Sequence, residues 1–121
     1  MNRIFLDGGI CGEVKLNVYG NTKVAKFTVA VNREFKPDGA KVSDFISVVA
    51  FGKSAEVISQ YASKGTRILI EGRLQVSKYT NKEGKSCIST DVIADKFEFL
   101  SPVKKKDEMF GSIEPSDEAP F

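Results

Sequence analysis

The sequence predicts an all-β fold, a five-stranded Greek-key barrel with one short helix between its third and fourth strands. Three observations lead to this prediction. Strand-forming residues dominate, and the 121 residues include nine Phe and three Tyr alongside many Val and Ile. Apolar and polar residues alternate in short runs separated by Gly, Asn and Pro turns. A single segment has helical spacing instead. The length suits one domain with one core.

Three strands are predicted in the first half of the chain. Residues 4–6 alternate with polar or flexible neighbours, and after a pair of glycines residues 13–18 alternate as a half-buried strand does. A second strand at 24–31 and a third at 44–51 follow, each after a Gly-containing turn.

Alternation also assigns these strand residues to faces. In the second strand one face is apolar and the other carries Lys26 and Thr28. The apolar face comprises Ala25, Phe27, Val29 and Val31. In the third strand one face comprises Phe45, Ser47, Val49 and Phe51, and the other comprises Ile46, Val48 and Ala50. Either face of the third strand is apolar enough for the core.

A helix is predicted over 53–64, since apolar residues recur there at helical spacing and Gly65 stands where a C-terminal cap belongs. A strand at 67–76 and another at 86–100 follow, joined by a hairpin loop at 81–85. The last strand is expected to bend near Ala94. This order of elements is that of the oligonucleotide-binding (OB) barrel, although other small barrels share a similar pattern.

The end of the chain has a different character. Residues 1–100 carry 15 Lys and Arg against 11 Asp and Glu, a net charge of +4, whereas residues 101–121 carry three Lys against five acids, a net charge of −2. The stretch 103–121 contains two Pro and no periodicity. We therefore expect an OB domain at 1–100 and a flexible acidic tail at 101–121.

Several classes of function are disfavoured by composition. The chain has no His, so the commonest general base and a common metal ligand are missing, and no metal site, cofactor site or enzymatic activity is predicted. Cys11 and Cys87 are expected to be reduced and structural. No apolar run is long enough to cross a membrane, and the first residues do not resemble a signal peptide, so a cytoplasmic location is expected.

Aromatic residues lie among Lys and Arg in the body of the chain, which is the combination that single-stranded nucleic acid requires. Bases stack on aromatic faces at about 1–3 kcal/mol each without regard to sequence, and cations bind the phosphates. The candidate stacking residues are Phe35, Phe45, Phe51 and Tyr79. The candidate phosphate contacts are Arg33, Lys36, Lys53, Arg73, Lys78, Lys82 and Lys85.

Each aromatic residue also has a purely structural interpretation. Phe27, Phe97 and Phe99 lie in dense or alternating apolar segments and are assigned to the core. The strand pattern leaves core and surface equally open for Phe45 and Phe51. Phe35 and Tyr79 stand beside charged residues near turns, where function is favoured.

Five segments in order resemble the bacterial single-stranded DNA-binding protein family. They are residues 1–8 (MNRIFLDG), 29–33 (VAVNR), 44–56 (DFISVVAFGKSAE), 64–65 (KG) and 70–74 (IEGRL), and the resemblance extends to about residue 100. The resemblance implies the OB barrel, assembly as a homotetramer and binding of single-stranded DNA. It also implies that the four aromatics above are the family's base-stacking residues, and that the face with Phe45 binds DNA. Three of those positions are commonly Trp in the family, whereas this chain has none.

The last residues add a second resemblance. Family members end in an acidic stretch closed by Pro-Phe, and this sequence ends SDEAPF. The resemblance implies that Asp117, Glu118, Pro120 and Phe121 bind replication, recombination and repair proteins, with the Phe ring in an apolar pocket and the acids against a basic rim. Ala119 replaces a larger aliphatic residue, and the long Gly/Gln-rich linker of many members is missing.

Two other functions remain open at this level. A primosome-type or RNA-binding barrel would bind RNA as well as DNA. A protein-interaction module that had lost nucleic-acid binding would act through its tail or barrel instead.

Overall fold

A computed structural model describes residues 1–33 and 42–104 of the chain, and these residues form a closed barrel of five strands. The strands run β1 Ile4–Tyr19, β2 Thr22–Asn32, β3 Ser43–Phe51, β4 Arg67–Thr80 and β5 Ser86–Phe99, and the helix α1 covers Gly52–Tyr61 between β3 and β4. Their order around the barrel is β1-β2-β3-β5-β4. The predicted OB-type barrel is confirmed.

All neighbouring strands pair antiparallel except β3 and β5, which are parallel. The parallel contact is short, and joins Val48 to Val92 and Val49 to Ile93. It closes the barrel and fixes which faces of β3 and β5 point inward. Val48 and Val92 are fully buried inside, so Val49 and Ile93 lie on the outside.

The core fills the barrel with the apolar faces that alternation predicts. Ala25, Phe27 and Val29 of β2 are buried, as are Val48 and Ala50 of β3. The helix α1 packs against the same core, and its Ala55 and Ile58 are fully buried. Phe97 and Phe99 are partly buried against this core and pack edge to face, with 5.3 Å between ring centroids. The assignment of these phenylalanines to the core is confirmed.

The first strand differs from its prediction. Residues 4–6 and 13–18 belong to one continuous strand, β1, whose pairing with β2 has an irregularity between Cys11 and Lys15. The half-buried pattern expected for 13–18 is wrong, because Leu16 and Val18 are exposed. Both residues lie near the tip of the β1–β2 hairpin. The pairing of β2 with β3 ends at Val24, so no third strand covers this part of the hairpin.

The helix is shorter than its periodicity predicts. It ends at Tyr61, and Ala62 is extended with its N–H bonded to the carbonyl of Ile58. Gly65 does not cap it. Its φ of +92° belongs to the following turn, where its N–H donates to the carbonyl of Ile10 at 2.8 Å. The helix ends because Ala62 is extended, and a turn in which the N–H of Thr66 donates to the carbonyl of Ser63 leads into β4.

The predicted bend in the last strand is confirmed as a bulge. Glu71 pairs with Lys96 and Gly72 with Ala94, so Asp95 is left without a partner in the ladder. Gly72 allows the close approach at this point, because a Cβ there would lie 2.0 Å from the carbonyl oxygen of Ile93.

Past the bulge, β4 and β5 continue as a two-stranded arm, which we call the β4–β5 arm (residues 74–91). Its loop is the predicted one at 81–85. The side chain of Asn81 accepts hydrogen bonds from the backbone N–H groups of Glu83 and Lys85, and Gly84 has a φ of +83°. β3 pairs with β5 at Val92 and Ile93, just beyond the base of the arm. No described strand pairs with residues 74–91 other than β4 and β5 themselves.

Other expectations concern single residues and the tail. Both cysteines are free, as expected; Cys11 is exposed and Cys87 is half-buried. Within residues 1–33 and 42–104, no helix is long and apolar enough to cross a membrane. The tail residues Asp117, Glu118, Pro120 and Phe121 lie outside the described residues. Val103, beyond the expected domain boundary, is buried.

Candidate nucleic-acid interface

The convex surface of β2 and β3 forms a candidate binding surface, which we call the outer face. Register and alternation place Val24, Lys26, Thr28 and Ala30 of β2 on it, opposite Phe51, Val49, Ser47 and Phe45 of β3. Ile93 of β5 and Arg73 of β4 continue the row of Val49. Barrel closure thus resolves the ambiguity of β3, because it directs Phe45 and Phe51 outward.

Phe45 and Phe51 are the most prominent groups of the outer face in the middle of the sheet. Their side chains are 66% and 46% exposed. Between them Val24, Val49 and Ile93 form a small buried cluster of their own. Two exposed rings therefore lie on the same face as a small apolar cluster, an arrangement on which bases can stack.

The turn from β3 into α1 holds Phe51 and Lys53 at one end of the face. Gly52 between them has a φ of +66°, a conformation that glycine adopts without the steric cost of a Cβ. Lys53 is exposed in the first turn of the helix. The sharp turn therefore places a cation close to an exposed aromatic ring.

Tyr79 and Arg73 extend the outer face along β4. Arg73 lies opposite Ile93 and Tyr79 lies opposite Cys87 on β5, so both side chains are on the same face of the sheet as Ile93. Tyr79 is 53% exposed near the tip of the β4–β5 arm. The exposed Arg73 donates a hydrogen bond to Oε1 of Gln75 at 3.0 Å. An aromatic ring and a cation thus lie on the same face as the two phenylalanines.

The remaining predicted cations occupy different positions. Lys78 lies opposite Ile88, on the reverse face of the β4–β5 arm from Tyr79. Lys82 and Lys85 are exposed in the loop at its tip. Phe35 and Lys36 lie outside the described residues.

Arg33, directly after the end of β2, forms an ion pair with Asp44 of β3. Its guanidinium donates to both carboxylate oxygens of Asp44, at 2.8 to 3.2 Å. These hydrogen bonds lower the pKa of Asp44, and they raise the pKa of Arg33. The ion pair secures the base of the β2–β3 connection, so Arg33 is less available to a phosphate than an unpaired cation would be.

The Arg33–Asp44 pair predicts a pH-dependent contribution to stability. Because the pKa of Asp44 is lower in the folded than in the unfolded state, the pair stabilises the fold above the ordinary value of 3.8 and loses this effect as the pH falls through the folded-state pKa. Urea unfolding of the parent and of Asp44→Asn should show a less stable variant at neutral pH, and the difference should shrink as the pH is lowered below 3.8. A difference that stays constant or grows as the pH falls would contradict this explanation.

Sequence reasoning missed two cations of the outer face. Lys26 lies opposite Val49, and Lys15 of β1 lies opposite Lys26. Alternation in β2 did place Lys26 away from the core. Only the pairing with β3, however, shows that its side chain shares a face with Phe45 and Phe51. Among the described residues, no group of three or more potential metal ligands is close enough to hold an ion.

The closed barrel, with its helix between β3 and β4, defines the chain as an oligonucleotide-binding barrel. Comparison with known proteins specifies the family. A family model described as the single-strand binding protein family matches residues 1–100. The chain therefore belongs to the single-strand binding protein family.

Curated relatives agree with this assignment. Single-stranded DNA-binding protein 1 of Staphylococcus aureus strain Mu50 is 40% identical over 109 residues, which cover 88% of this chain and 70% of the relative. Single-stranded DNA-binding protein 2 of S. aureus strain COL is 42% identical over 104 residues, covering 84% and 75%. The single-stranded DNA-binding protein of Clostridium perfringens strain 13 is 39% identical over 102 residues, covering 83% and 66%.

Proposed function

We propose that this protein binds single-stranded DNA with little sequence preference and uses the outer face to do so. The observation that carries the proposal is the pair of exposed rings, Phe45 and Phe51, on a sheet whose other face is the core. Tyr79 and, from outside the described residues, Phe35 complete the proposed set of stacking residues. Family membership and the names of the relatives support the same ligand.

Stacking explains both the choice of a single strand and the lack of sequence choice. Every base has a π face that fits an aromatic ring, and a duplex hides those faces between its base pairs. The phosphates of the strand would be bound by cations around the rings. We assign this role to Arg33, Lys36, Lys53, Arg73, Lys78, Lys82 and Lys85. Among them, Arg73 continues the row of Val49 on the outer face, and Lys53 is two residues from Phe51.

In the cell this binding would protect exposed single strands during replication, recombination and repair. We further propose that Asp117, Glu118, Pro120 and Phe121 recruit partner enzymes. Acidic residues around an aromatic ring suit an apolar pocket with a basic rim. This proposal rests on composition and on the resemblance to the family.

We also propose that four copies assemble into a homotetramer. On the reverse face of the β4–β5 arm, Leu74, Val76 and Ile88 are 41%, 57% and 65% exposed. Register places all three on one face, away from Tyr79. A contiguous exposed apolar group of this kind is typical of an interface between proteins. Sedimentation equilibrium should give four times the 13.3 kDa mass of the chain.

The proposed function is tested by titrating labelled oligo-dT, oligo-rU and a duplex of equal length with the intact protein. We expect tight binding to oligo-dT, weak binding to duplex, and an affinity for oligo-dT that falls as salt is raised, because cations displace counterions from the phosphates. Equal affinity for oligo-dT and duplex, or no binding to either, would contradict the proposal. Equal affinity for oligo-rU would instead favour an RNA-binding barrel.

A truncated chain of residues 1–104 separates the two proposed activities. It ends after Val103, because that side chain is buried and its loss would disturb the barrel. We expect residues 1–104 to keep the affinity of the intact chain for oligo-dT and to lose binding to partner enzymes. Loss of oligo-dT binding would assign that activity to the tail.

A further inference from the structure

Residues 1–3 contact the point where the β4–β5 arm leaves the barrel, and we call them the strap. They precede β1, whose pairing with β4 ends where Ile4 lies opposite Gly72. The arm begins two residues later, at Leu74. The backbone of the strap is not part of the ladder, so the strap reaches β4 and β5 through its side chains.

Asn2 replaces a backbone pair with its side chain. In the register of β1 and β4, the position opposite Leu74 is that of residue 2, two residues before Ile4. Nδ2 of Asn2 donates to the carbonyl of Leu74 at 2.8 Å, and Oδ1 accepts from the N–H of Leu74 at 2.9 Å. A hydrogen-bonded pair in an antiparallel ladder would use the same two backbone groups. Asn2 therefore continues the β1–β4 pairing onto the first residue of the arm.

Arg3 joins the two strands at the bulge. Its guanidinium forms ion pairs with Glu71 of β4 and, at 3.0 Å, with Oδ2 of Asp95 of β5. Asp95 is the residue that the bulge leaves out of the β4–β5 ladder. Because a bulge bends the strand that contains it, the direction of the arm is set at this point. Arg3 therefore fixes both strands where the arm takes its direction.

The strap holds one side of the base of the arm, and β3 holds the other. On the β5 side, Val92 and Ile93 pair with β3. On the β4 side, β5 is the only described strand that pairs with Leu74 and the residues after it. The hydrogen bonds of Asn2 therefore provide the link between the barrel and the β4 side of the arm.

The arm is long enough for a small change at its base to matter at its tip. Tyr79 is five residues beyond Leu74, about 17 Å along the strand at a rise of ~3.4 Å per residue. A tilt of about 20° at the base would therefore move the ring by about 6 Å. Since stacked groups are in contact at about 3.5–4 Å, such a tilt would separate Tyr79 from its base.

We propose that Asn2 and Arg3 are positioning residues for single-strand binding. They hold the β4–β5 arm at the angle that brings Tyr79 onto the path of a strand stacked on Phe45 and Phe51. This inference rests on the proposed function and adds residues that act through Tyr79. Neither Asn2 nor Arg3 has to touch DNA in this role.

The motion of the arm is measured without DNA. The chain contains no Trp, so Tyr79→Trp places a single indole on the arm. We expect Asn2→Ala in this background to increase the amplitude of the nanosecond anisotropy decay of the indole, because the base of the arm is released. An unchanged decay would overturn the inference.

Hydrogen exchange locates the released contact. Asn2→Ala should speed exchange of the amide proton of Leu74 about 3- to 10-fold, because one hydrogen bond is lost. The amide of Ile70, inside the β1–β4 ladder, should exchange as in the parent. Equal acceleration at Leu74 and Ile70 would show a general loss of stability and would overturn the positioning role.

The link to DNA binding is tested by a double-mutant cycle with long oligo-dT. We expect Asn2→Ala to weaken binding about 2- to 10-fold, less than the loss of a whole stacked base in Tyr79→Ala. The salt dependence should not change, because no charge is removed. In the Tyr79→Ala background, Asn2→Ala should have a smaller effect, since the ring that it positions is gone. Equal effects in the two backgrounds would overturn the inference.

For Arg3 the chain offers a matched control. Arg3→Gln and Arg67→Gln each remove one positive charge and break exposed ion pairs, but Arg67 pairs with Asp7 of β1, away from the arm. We expect Arg3→Gln to increase the depolarisation of the indole at position 79 and to weaken binding of long oligo-dT. Arg67→Gln should leave both unchanged. Equal changes in the two variants would show an effect of charge alone and would overturn the role of Arg3.

The length of the DNA separates failure of this inference from failure of the proposed function. Oligo-dT too short to reach from Phe45 to Tyr79 should bind Asn2→Ala and the parent equally. If the parent binds no single strand at all, the proposed function fails and the inference fails with it. If the parent binds and Asn2→Ala matches it at every length, only the inference about the strap fails.

Discussion

Replacing both Phe45 and Phe51 with alanine should weaken binding of oligo-dT more than any other pair of surface substitutions in this chain. Each ring is exposed on the same face as Val24, Val49 and Ile93, and each stacked base contributes about 1–3 kcal/mol. Each single substitution should therefore lower the affinity about 5- to 150-fold, and the double variant should lower it further. Fluorescence anisotropy of labelled oligo-dT measures the change.

Two controls separate stacking from folding. Because neither ring belongs to the core, the alanine variants should unfold at nearly the same temperature as the parent. Phe45→Tyr and Phe51→Tyr keep an aromatic face and should retain most of the affinity. Alanine variants that bind oligo-dT like the parent would show that these rings do not stack on DNA.

Gly8→Ala should cause the largest loss of stability among single-methyl additions to β1. A Cβ at this position would lie 2.3 Å from the carbonyl oxygen of Ala30 and 3.0 Å from Cγ1 of Val29. The nearest atom is backbone, so β1 would have to move away from β2 beside the Gly9–Ala30 pair. We expect the free energy of unfolding to fall by about 2–4 kcal/mol. Urea denaturation, with the slope of the transition checked for constancy, measures this loss.

The neighbouring glycine provides a matched control. A Cβ on Gly9 would meet nothing within 4 Å. Gly9→Ala adds the same methyl group to the same strand, and it should change the free energy of unfolding by less than about 0.5 kcal/mol. Equal losses for Gly8→Ala and Gly9→Ala would show that the clash with Ala30 does not cause the effect, because a Cβ on Gly9 meets no such atom.

Alternation and turn chemistry were sufficient to predict the order of elements and most of the core. The inward residues of β2 and the loop at 81–85 follow from a period of two and from the preferences of Asn and Gly. The bend near Ala94 was also predicted, although the sequence did not show that Gly72 makes it possible. Local signals therefore define the elements themselves.

What the sequence left open depends on contacts between distant parts of the chain. The pattern of β3 is apolar on both faces, and only its pairing with β2 and β5 directs Phe45 outward. Leu16 and Val18 alternate like core residues but have no third strand to cover them. Lys15 and Lys26 are 11 positions apart, and register alone brings them together. Alternation shows which residues of a strand share a face, whereas strand pairing determines whether that face lies in the core or at the surface.

A single Trp at each of three positions provides the most direct test that the outer face binds the strand. The chain contains no Trp, so each of Phe45→Trp, Phe51→Trp and Val18→Trp carries one reporter. Val18 is 59% exposed on the face of the β1–β2 hairpin that points away from Phe51. Saturating oligo-dT should strongly quench the fluorescence at positions 45 and 51, because a base stacks on the indole, and should leave position 18 nearly unchanged. If the protein binds oligo-dT but quenching is absent at 45 and 51, the strand lies elsewhere and the outer face is not its site.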